Sequence, residues 1–92
     1  MAKIIIPTPL RKFTANEAFF ESKGTTVGES ITELTQLFPD LKQHLWDEQG
    51  QIRKFLKVYI GDEDITALDN ELTKVDESTT ISIIPAIAGG IL

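Results

Sequence analysis

Two consecutive glycines, Gly89 and Gly90, follow a short apolar stretch near the C-terminal end of the sequence. Glycine loses more conformational entropy on ordering than any other residue, so such a segment stays mobile until a partner captures it. Without Cβ atoms it can pass through a narrow channel and bring a terminal carbonyl group close to a reagent. This chemistry suits a protein whose own C-terminus is the reacting group. The alternative for the glycine pair alone is a frayed end.

Few other residues could act as nucleophiles or metal ligands. The sequence has no cysteine, which excludes thiol nucleophiles, disulfides and Cys-ligated metals. His44 is the only histidine, so a multi-histidine metal site is excluded, and we expect this ring to be partly packed. The acidic run of residues 62–64 offers oxygen ligands for a hard cation, but without further ligands we expect a solvated turn and no metal.

Charge and length narrow the function classes further. The 92 residues fit one domain, and the formal net charge of -5 gives no electrostatic reason to bind nucleic acid or an anionic membrane. The N-terminal apolar run is broken by Pro7 and is too short for a signal peptide or a membrane span. We therefore expect a cytoplasmic protein.

The elements that must position the glycine pair begin with strands. Runs of β-branched and aromatic residues predict strands at 2–6, 18–22, 55–60 and 79–84, and Pro85 is predicted to end the last one. Residues 10–16 are predicted to be a loop, and residues 61–64 a turn. Ile65 and Thr66 are predicted as a short returning strand, followed by one helical turn over 67–72.

One helix is predicted with a clear start. Thr26 and Glu29 have the spacing of a capping box, and Pro39 ends the helix. The apolar stripe that should face the sheet consists of Val27, Ile31, Leu34 and Leu37/Phe38. A shorter helical segment over 40–48 is predicted to stop at Gly50.

This order of elements predicts an α+β fold. Two strands, a crossing helix and further strands give a mixed sheet of four to five strands packed on one main helix, as in ubiquitin-like β-grasp domains. We expect the domain to span residues 1–85 and residues 86–92 to form a flexible tail.

Strand alternation also predicts a docking surface. If the helix covers Val58, Ile81 and Ile83, then Tyr59 and Ile84 lie on the open face of the sheet. Together with Pro85 and Ile87 near the tail, they would form an apolar patch for a partner enzyme. The alternative is that they are isolated exposed apolar residues, which are common.

Three segments carry a family resemblance. Pro-Ala-Ile-Ala-Gly-Gly at residues 85–90, the strand and turn at 55–65, and residues 4–11 together resemble the ubiquitin-like sulfur carriers. That superfamily includes the thiamine-pathway carrier and the small subunit of molybdopterin synthase. The tail combined with Asp-Glu-Asp-Ile most resembles the subgroup that serves cysteine biosynthesis.

The resemblance implies a carrier and not an enzyme. In the family, an E1-like activating enzyme uses ATP to adenylate the terminal glycine, and a sulfur source converts it to a thiocarboxylate. The carrier itself binds no cofactor. A second enzyme accepts the sulfur, and here the resemblance favours a PLP-dependent cysteine synthase.

The sequence departs from the family pattern at its end, because Ile91 and Leu92 follow the glycine pair. The Gly90 carbonyl is therefore in a peptide bond and cannot be adenylated. Some relatives are matured by a zinc-dependent peptidase, so a precursor that loses Ile91 and Leu92 is the interpretation we favour. The alternatives are the small subunit of molybdopterin synthase, a protein modifier, and an interaction module whose tail does not react.

Overall fold

A computed structural model describes residues 2–53 and 56–85 of the chain. Its strands are β1 (Ala2–Ile5), β2 (Phe19–Ser22), β3 (Leu56–Ile60), β4 (Glu63–Asp64) and β5 (Thr80–Pro85). Its α-helices are α1 (Val27–Leu37) and the single turn α2 (Lys42–Leu45). Short 3-10 segments cover Thr8–Phe13, Pro39–Leu41, Ile65–Ala67 and Asn70–Leu72.

The five strands form one mixed sheet in the order β2-β1-β5-β3-β4. Only β1 and β5 run parallel, and the β1–β2, β3–β5 and β3–β4 pairs are antiparallel. The last strand in sequence therefore lies in the middle of the sheet, between the first strand and β3. This is the β-grasp arrangement, and the predicted α+β fold with one main helix is confirmed.

The core lies between α1 and one face of the sheet. The three α1 residues Val27, Ile31 and Leu34 are fully buried, as predicted, against a sheet face that includes Val58 and Ile81. The rest of the buried apolar cluster is Ala2, Ile4, Ile6, Leu41, Leu45, Leu56, Ile65, Val75 and Ile83.

The start of α1 follows the predicted capping pattern with one change. The backbone N–H of Glu29 donates to Thr26 Oγ1 at 3.1 Å, which satisfies one of the free N–H groups of the first turn. The Glu29 carboxylate accepts from the backbone N–H and the hydroxyl of Thr25, at 2.8 and 2.9 Å. The hydrogen bonds from the Glu29 side chain back to the helix start thus reach Thr25, the residue before the N-cap Thr26.

Three sequence predictions are wrong in local detail. Leu37 is 59% exposed, so the apolar stripe continues through Phe38, which packs against the core. The loop predicted over 10–16 is replaced in its first half by the 3-10 helix Thr8–Phe13, because Pro9 presets the first turn of that helix. The strand predicted at Ile65 and Thr66 lies two residues earlier, and Asp64 caps a 3-10 turn there by accepting from the Thr66 N–H.

Two predicted stops also need correction. The last strand, predicted to end at Ile84, extends one residue further and includes Pro85, because the end of a strand tolerates the missing N–H. The second helix ends at Leu45 and not near Glu48, since Trp46 is already extended. Gly50 instead has φ +79° within a turn whose Asp47 carboxylate accepts from the N–H of Gln51.

Candidate functional site

The predicted reacting residues, Gly89 and Gly90, lie outside the described residues, as do Ile87, Ile91 and Leu92. The structure does fix where their segment begins. Pro85 is half-buried and lies opposite Leu56 of β3. The tail therefore continues directly from β5, the middle strand of the sheet. It leaves β5 next to Leu56, the first residue of β3.

The face of the sheet opposite α1 can be assigned from the strand register. Tyr59 lies opposite Ser82, Ser82 lies opposite Ile5, and Ile5 lies opposite Phe19. These residues form one row across the face, which we call the open face. Because side chains alternate along a strand, Ile84 is on the same face, one row nearer the tail.

The two residues predicted to dock a partner are placed together on this face. Ile84 is 47% exposed, and its cross-strand partner on β3 is Lys57. Tyr59 is half-buried and lies two residues after Lys57 on the same strand. The assignment of the two faces is confirmed, since Val58, Ile81 and Ile83 are buried on the other side. The open face thus presents an apolar side chain beside a cation, one residue before the chain reaches Pro85.

The open face extends further than the sequence reasoning proposed. Ile5 is half-buried and Phe19 is 49% exposed at the far edge of the same row. The ammonium group of Lys3 lies 4.7 Å from the centre of the Phe19 ring, a cation–π distance. The alternation of buried Ala2, Ile4 and Ile6 with outward Lys3 and Ile5 was the signal that could have identified this extension.

The acidic turn after β3 has a structural role. Asp64 Oδ1 accepts from the N–H and the hydroxyl of Thr66, at 2.9 and 2.8 Å. These hydrogen bonds, first the backbone and then the hydroxyl, lower the pKa of Asp64 below its ordinary value. Across residues 2–53 and 56–85, no three acidic or histidine side chains are grouped to hold a metal ion.

His44 packs as predicted. Its ring is half-buried and stacks on Phe13, with ring centres 4.4 Å apart and planes 27° from parallel. The stacked pair joins α2 to the 3-10 helix Thr8–Phe13, so we assign His44 a packing role. Within residues 2–53 and 56–85, none of the helices has the length and apolar character needed to cross a membrane.

A sequence profile of the ThiS family matches residues 4–90, which is nearly the whole chain. The chain belongs to the ThiS family. The match begins within β1, includes the other four strands and ends on Gly90, the second residue of the glycine pair. The family therefore covers both the folded domain and the tail that the sequence singled out.

Named relatives in this family are sulfur carriers. The chain is 29% identical over 89 residues to the sulfur carrier protein CysO of Mycobacterium tuberculosis and of Mycobacterium bovis, covering 95% of this chain and 96% of each relative. The chain is thus homologous to a ThiS-like sulfur carrier across its length.

Two solved structures are similar in fold and sequence. A chain of the Amycolatopsis orientalis BexX/CysO complex has a TM-score of 0.88 and 34% identity, covering 98% of this chain and all of that one. CysO of Mycobacterium tuberculosis, described as an antigen, has a TM-score of 0.85 and 26% identity, covering 95% and 100%. The β-grasp fold is common to all three.

Proposed function

We propose that this chain carries sulfur as a thiocarboxylate on Gly90 after Ile91 and Leu92 have been removed. The observation that carries the proposal is the ThiS-family match, which spans residues 4–90 and ends on the glycine pair. The homologous CysO proteins are named as sulfur carriers, and they align with this chain over 95% of its length. The open face and the tail then serve as docking surface and reacting end of one carrier.

The chemistry begins with release of the Gly90 carboxylate. A peptidase, which we expect to use zinc, adds water across the Gly90–Ile91 bond and frees the Ile91-Leu92 dipeptide. An E1-like enzyme then joins the carboxylate to the α-phosphorus of ATP, with pyrophosphate leaving. A sulfide-level donor attacks the acyl carbon, AMP leaves, and the thiocarboxylate remains.

In this proposal the carrier acts as a substrate of its partner enzymes. ATP and the sulfur source are held by the activating enzyme, and the carrier binds no cofactor of its own. The carrier contributes a displayed terminus and a surface that aligns it. Because the reaction needs ATP and these enzymes, we place the carrier in the cytoplasm.

The open face is the surface we assign to the activating enzyme. Ile84 is half-exposed next to the tail, and Tyr59, Ile5 and Phe19 continue the apolar area across four strands. An apolar patch next to a reacting end can hold the partner in place while the tail enters its active site. Pro85 and Ile87 would extend the contact from the sheet onto the tail.

For the enzyme that accepts the sulfur we favour a PLP-dependent cysteine synthase. The name CysO, shared by the homologues, supports a role in cysteine biosynthesis. The BexX/CysO complex supports the general point that a carrier of this kind binds an enzyme partner.

The deciding experiment compares the full-length chain with a chain truncated after Gly90. Each is incubated with the activating enzyme of the same organism, ATP and sulfide, and the intact mass is measured. We expect only the truncated chain to exchange pyrophosphate and to gain the mass difference between sulfur and oxygen. Addition of the peptidase should convert the full-length chain to the reactive form.

Two outcomes would contradict the proposal in different ways. Thiocarboxylation of the full-length chain with Ile91 and Leu92 still attached would overturn the precursor model. Failure of both forms with the activating enzyme would overturn the carrier function itself. An isopeptide bond from Gly90 to lysine residues of other proteins would instead identify a protein modifier.

A further inference from the structure

The outer edge of β2 takes no part in the proposed function. The strand order places β2 at one end of the sheet, where it pairs with β1 on one side. Within residues 2–53 and 56–85, no strand lies along its other side. A sheet edge of this kind presents backbone N–H and C=O groups that can pair with a further strand.

The hydrogen-bond pattern shows which residues of β2 point their backbone groups outward. The Ile6 N–H donates to the Ala18 carbonyl at 2.8 Å, so the backbone groups of Ala18 face β1. Because this direction alternates along an antiparallel strand, the backbone groups of Phe20 also face β1. The N–H and C=O groups of Phe19 and Glu21 therefore point away from β1, at the outer edge.

This outward stretch is closed at both ends by hydrogen bonds within the molecule. Before it, the N–H of Glu17 donates to the Thr14 carbonyl at 2.9 Å. After it, the N–H of Lys23 donates to both carboxylate oxygens of Glu33 on α1, at 2.9 and 3.1 Å. The two outward positions between these bonds, residues 19 and 21, are therefore the ones that can pair with another strand.

Two pairing positions placed evenly about Phe20 suit a second copy of the same strand. When two β2 strands run antiparallel with Phe20 opposite Phe20 of the second copy, Phe19 lies opposite Glu21 of that copy. Each such pair exchanges both of its backbone hydrogen bonds, so every outward N–H of the two positions finds a carbonyl. The arrangement is self-complementary, as a twofold interface requires.

The side chains on the open face of this pairing are complementary in charge. Lys3 lies opposite Glu21 on the neighbouring strand, and its ammonium group lies 4.7 Å from the centre of the Phe19 ring. Glu21 of the second copy lies beside that ring, so its carboxylate approaches the Lys3 ammonium group. Twofold symmetry repeats this contact. Beyond it, Glu17 lies opposite Lys23 of the second copy, which is again a pair of opposite charges.

The other face of this pairing is apolar. Phe20 lies opposite Ile4, which is fully buried, so the Phe20 side chain is on the side of the sheet that α1 covers. Phe20 is half-buried and packs against the core. At the twofold axis the two Phe20 side chains meet as a cross-strand aromatic pair, a kind of contact that stabilises sheets.

We propose that this chain forms a twofold dimer by pairing β2 with β2 of a second copy, with Phe20 at the axis. The inference concerns assembly and does not depend on the carrier function. Both open faces then lie on one side of a continuous sheet, and both α1 helices lie on the other. The two β5 strands point in opposite directions, so the two tails leave from opposite ends. Because the paired edge is short, the dimer is weak and forms at high concentration.

The test measures the dimerisation constant of the full-length chain by sedimentation equilibrium. Glu21→Lys and Lys3→Glu each place like charges across the interface, and we expect each to weaken dimerisation about tenfold or more. The double variant Lys3→Glu/Glu21→Lys restores opposite charges and should recover most of the loss. Glu48→Lys makes the same change of charge at an exposed position away from β2 and should match the wild type. Thermal melting checks that each variant is folded.

A cross-linking experiment checks the register, because the sequence has no cysteine of its own. Phe19→Cys and Glu21→Cys chains are mixed and oxidised, and the mixed dimer is identified by intact mass. The proposed pairing places these two positions at a Cα separation of about 5.5 Å, which a disulfide can span. Mixed cross-links should form about tenfold faster than in a mixture of Phe19→Cys and Leu37→Cys, whose leucine is exposed on α1.

Three results would overturn the proposal. A chain that stays monomeric up to about 1 mM leaves this edge to solvent or to a strand of another protein. A dimer that is unaffected by the Lys3 and Glu21 variants and shows no preferred cross-link uses a different surface. Equal weakening by Glu48→Lys and Glu21→Lys shows that net charge, and not the paired edge, controls association.

Discussion

Leu56 of β3 lies directly opposite Pro85 of β5, and this is the last pair of the ladder between the two strands. Proline has no backbone N–H, so it cannot extend the ladder in the way that another residue would. Pro7 stands two residues after β1, the parallel neighbour of β5 on its other side. A proline therefore ends β5, and another follows β1 after one residue, at the end of the sheet from which the tail departs.

The first prediction concerns the reacting residue. In the chain truncated after Gly90, Gly90→Val should abolish thiocarboxylation, because a branched Cβ restricts φ and widens a segment that must enter a narrow channel. The melting temperature should not change. Intact mass after incubation with activating enzyme, ATP and sulfide gives the result, and a variant that still gains sulfur would show that the channel tolerates a side chain.

The second prediction concerns the open face. Ile84→Asp and Tyr59→Lys should each weaken capture by the activating enzyme about tenfold or more, since a charge replaces an apolar contact next to the tail. Stability should change by no more than about 1 kcal/mol, because neither side chain belongs to the buried core. Leu37→Asp is the control, an exposed leucine away from this face. Unfolding of the Ile84 variant would show that this face is part of the core.

The third prediction concerns the core. Ile31→Ala should lower the free energy of unfolding by about 2–4 kcal/mol, from lost transfer energy and the cavity left behind, because Ile31 is fully buried. Urea unfolding monitored by circular dichroism measures the loss. Leu37→Ala, on the exposed face of the same helix, should cost less than about 1 kcal/mol. Similar losses for both variants would contradict the packing of α1.

The fourth prediction follows from the cap of α1. Because hydrogen bonds from Thr25 lower the pKa of Glu29 below its ordinary 4.5, its carboxylate stabilises the fold above that pH. The stabilisation should decline as the pH falls from 4.5 through the lower folded-state value. Glu29→Gln should therefore be less stable than the wild type at neutral pH, and the difference should shrink on acidification.

The measurement for the cap is urea unfolding at a series of pH values down to about pH 3. Asp64 and Asp76 also have lowered pKa values, but they are present in both proteins and cancel in the comparison. Glu48→Gln, at an exposed position outside α1, is the matched control. A difference between wild type and Glu29→Gln that stays constant with pH would contradict the ionic role of this carboxylate.

Much of the fold was predictable because its signals are local. Alternation in β3 and β5 assigned the buried and open faces correctly, and Thr26 with Glu29 identified the start of α1. The predicted apolar stripe included Leu37 because it fits the helical period as well as Phe38 does. Only the position of the segment after α1 decides which of the two side chains is buried.

Other features depend on contacts that the sequence does not reveal. Ser22 donates to the hydroxyl of Ser30 at 2.7 Å inside the core, a pairing between β2 and α1 that no sequence spacing indicates. The position of the 3-10 turn Asn70–Leu72 depends on Gly28 lying against the Glu71 carbonyl and on the left-handed conformation of Asn70. Such features arise when separate elements meet, so a linear pattern of residue types cannot predict them.

The central place of β5 has a consequence for how the protein is made. This strand is synthesised after every other element of the sheet, yet it pairs with both β1 and β3. The β1–β2 pair and the β3–β4 pair cannot join until the ribosome has synthesised β5 through residue 85. Folding must therefore bring β5 back to β1, a contact between distant parts of the sequence, at a late stage. The glycine pair follows that strand after three residues. Under the proposed carrier function, a misfolded chain therefore has no assembled surface to present alongside its tail, which would keep an ATP-consuming partner from engaging it.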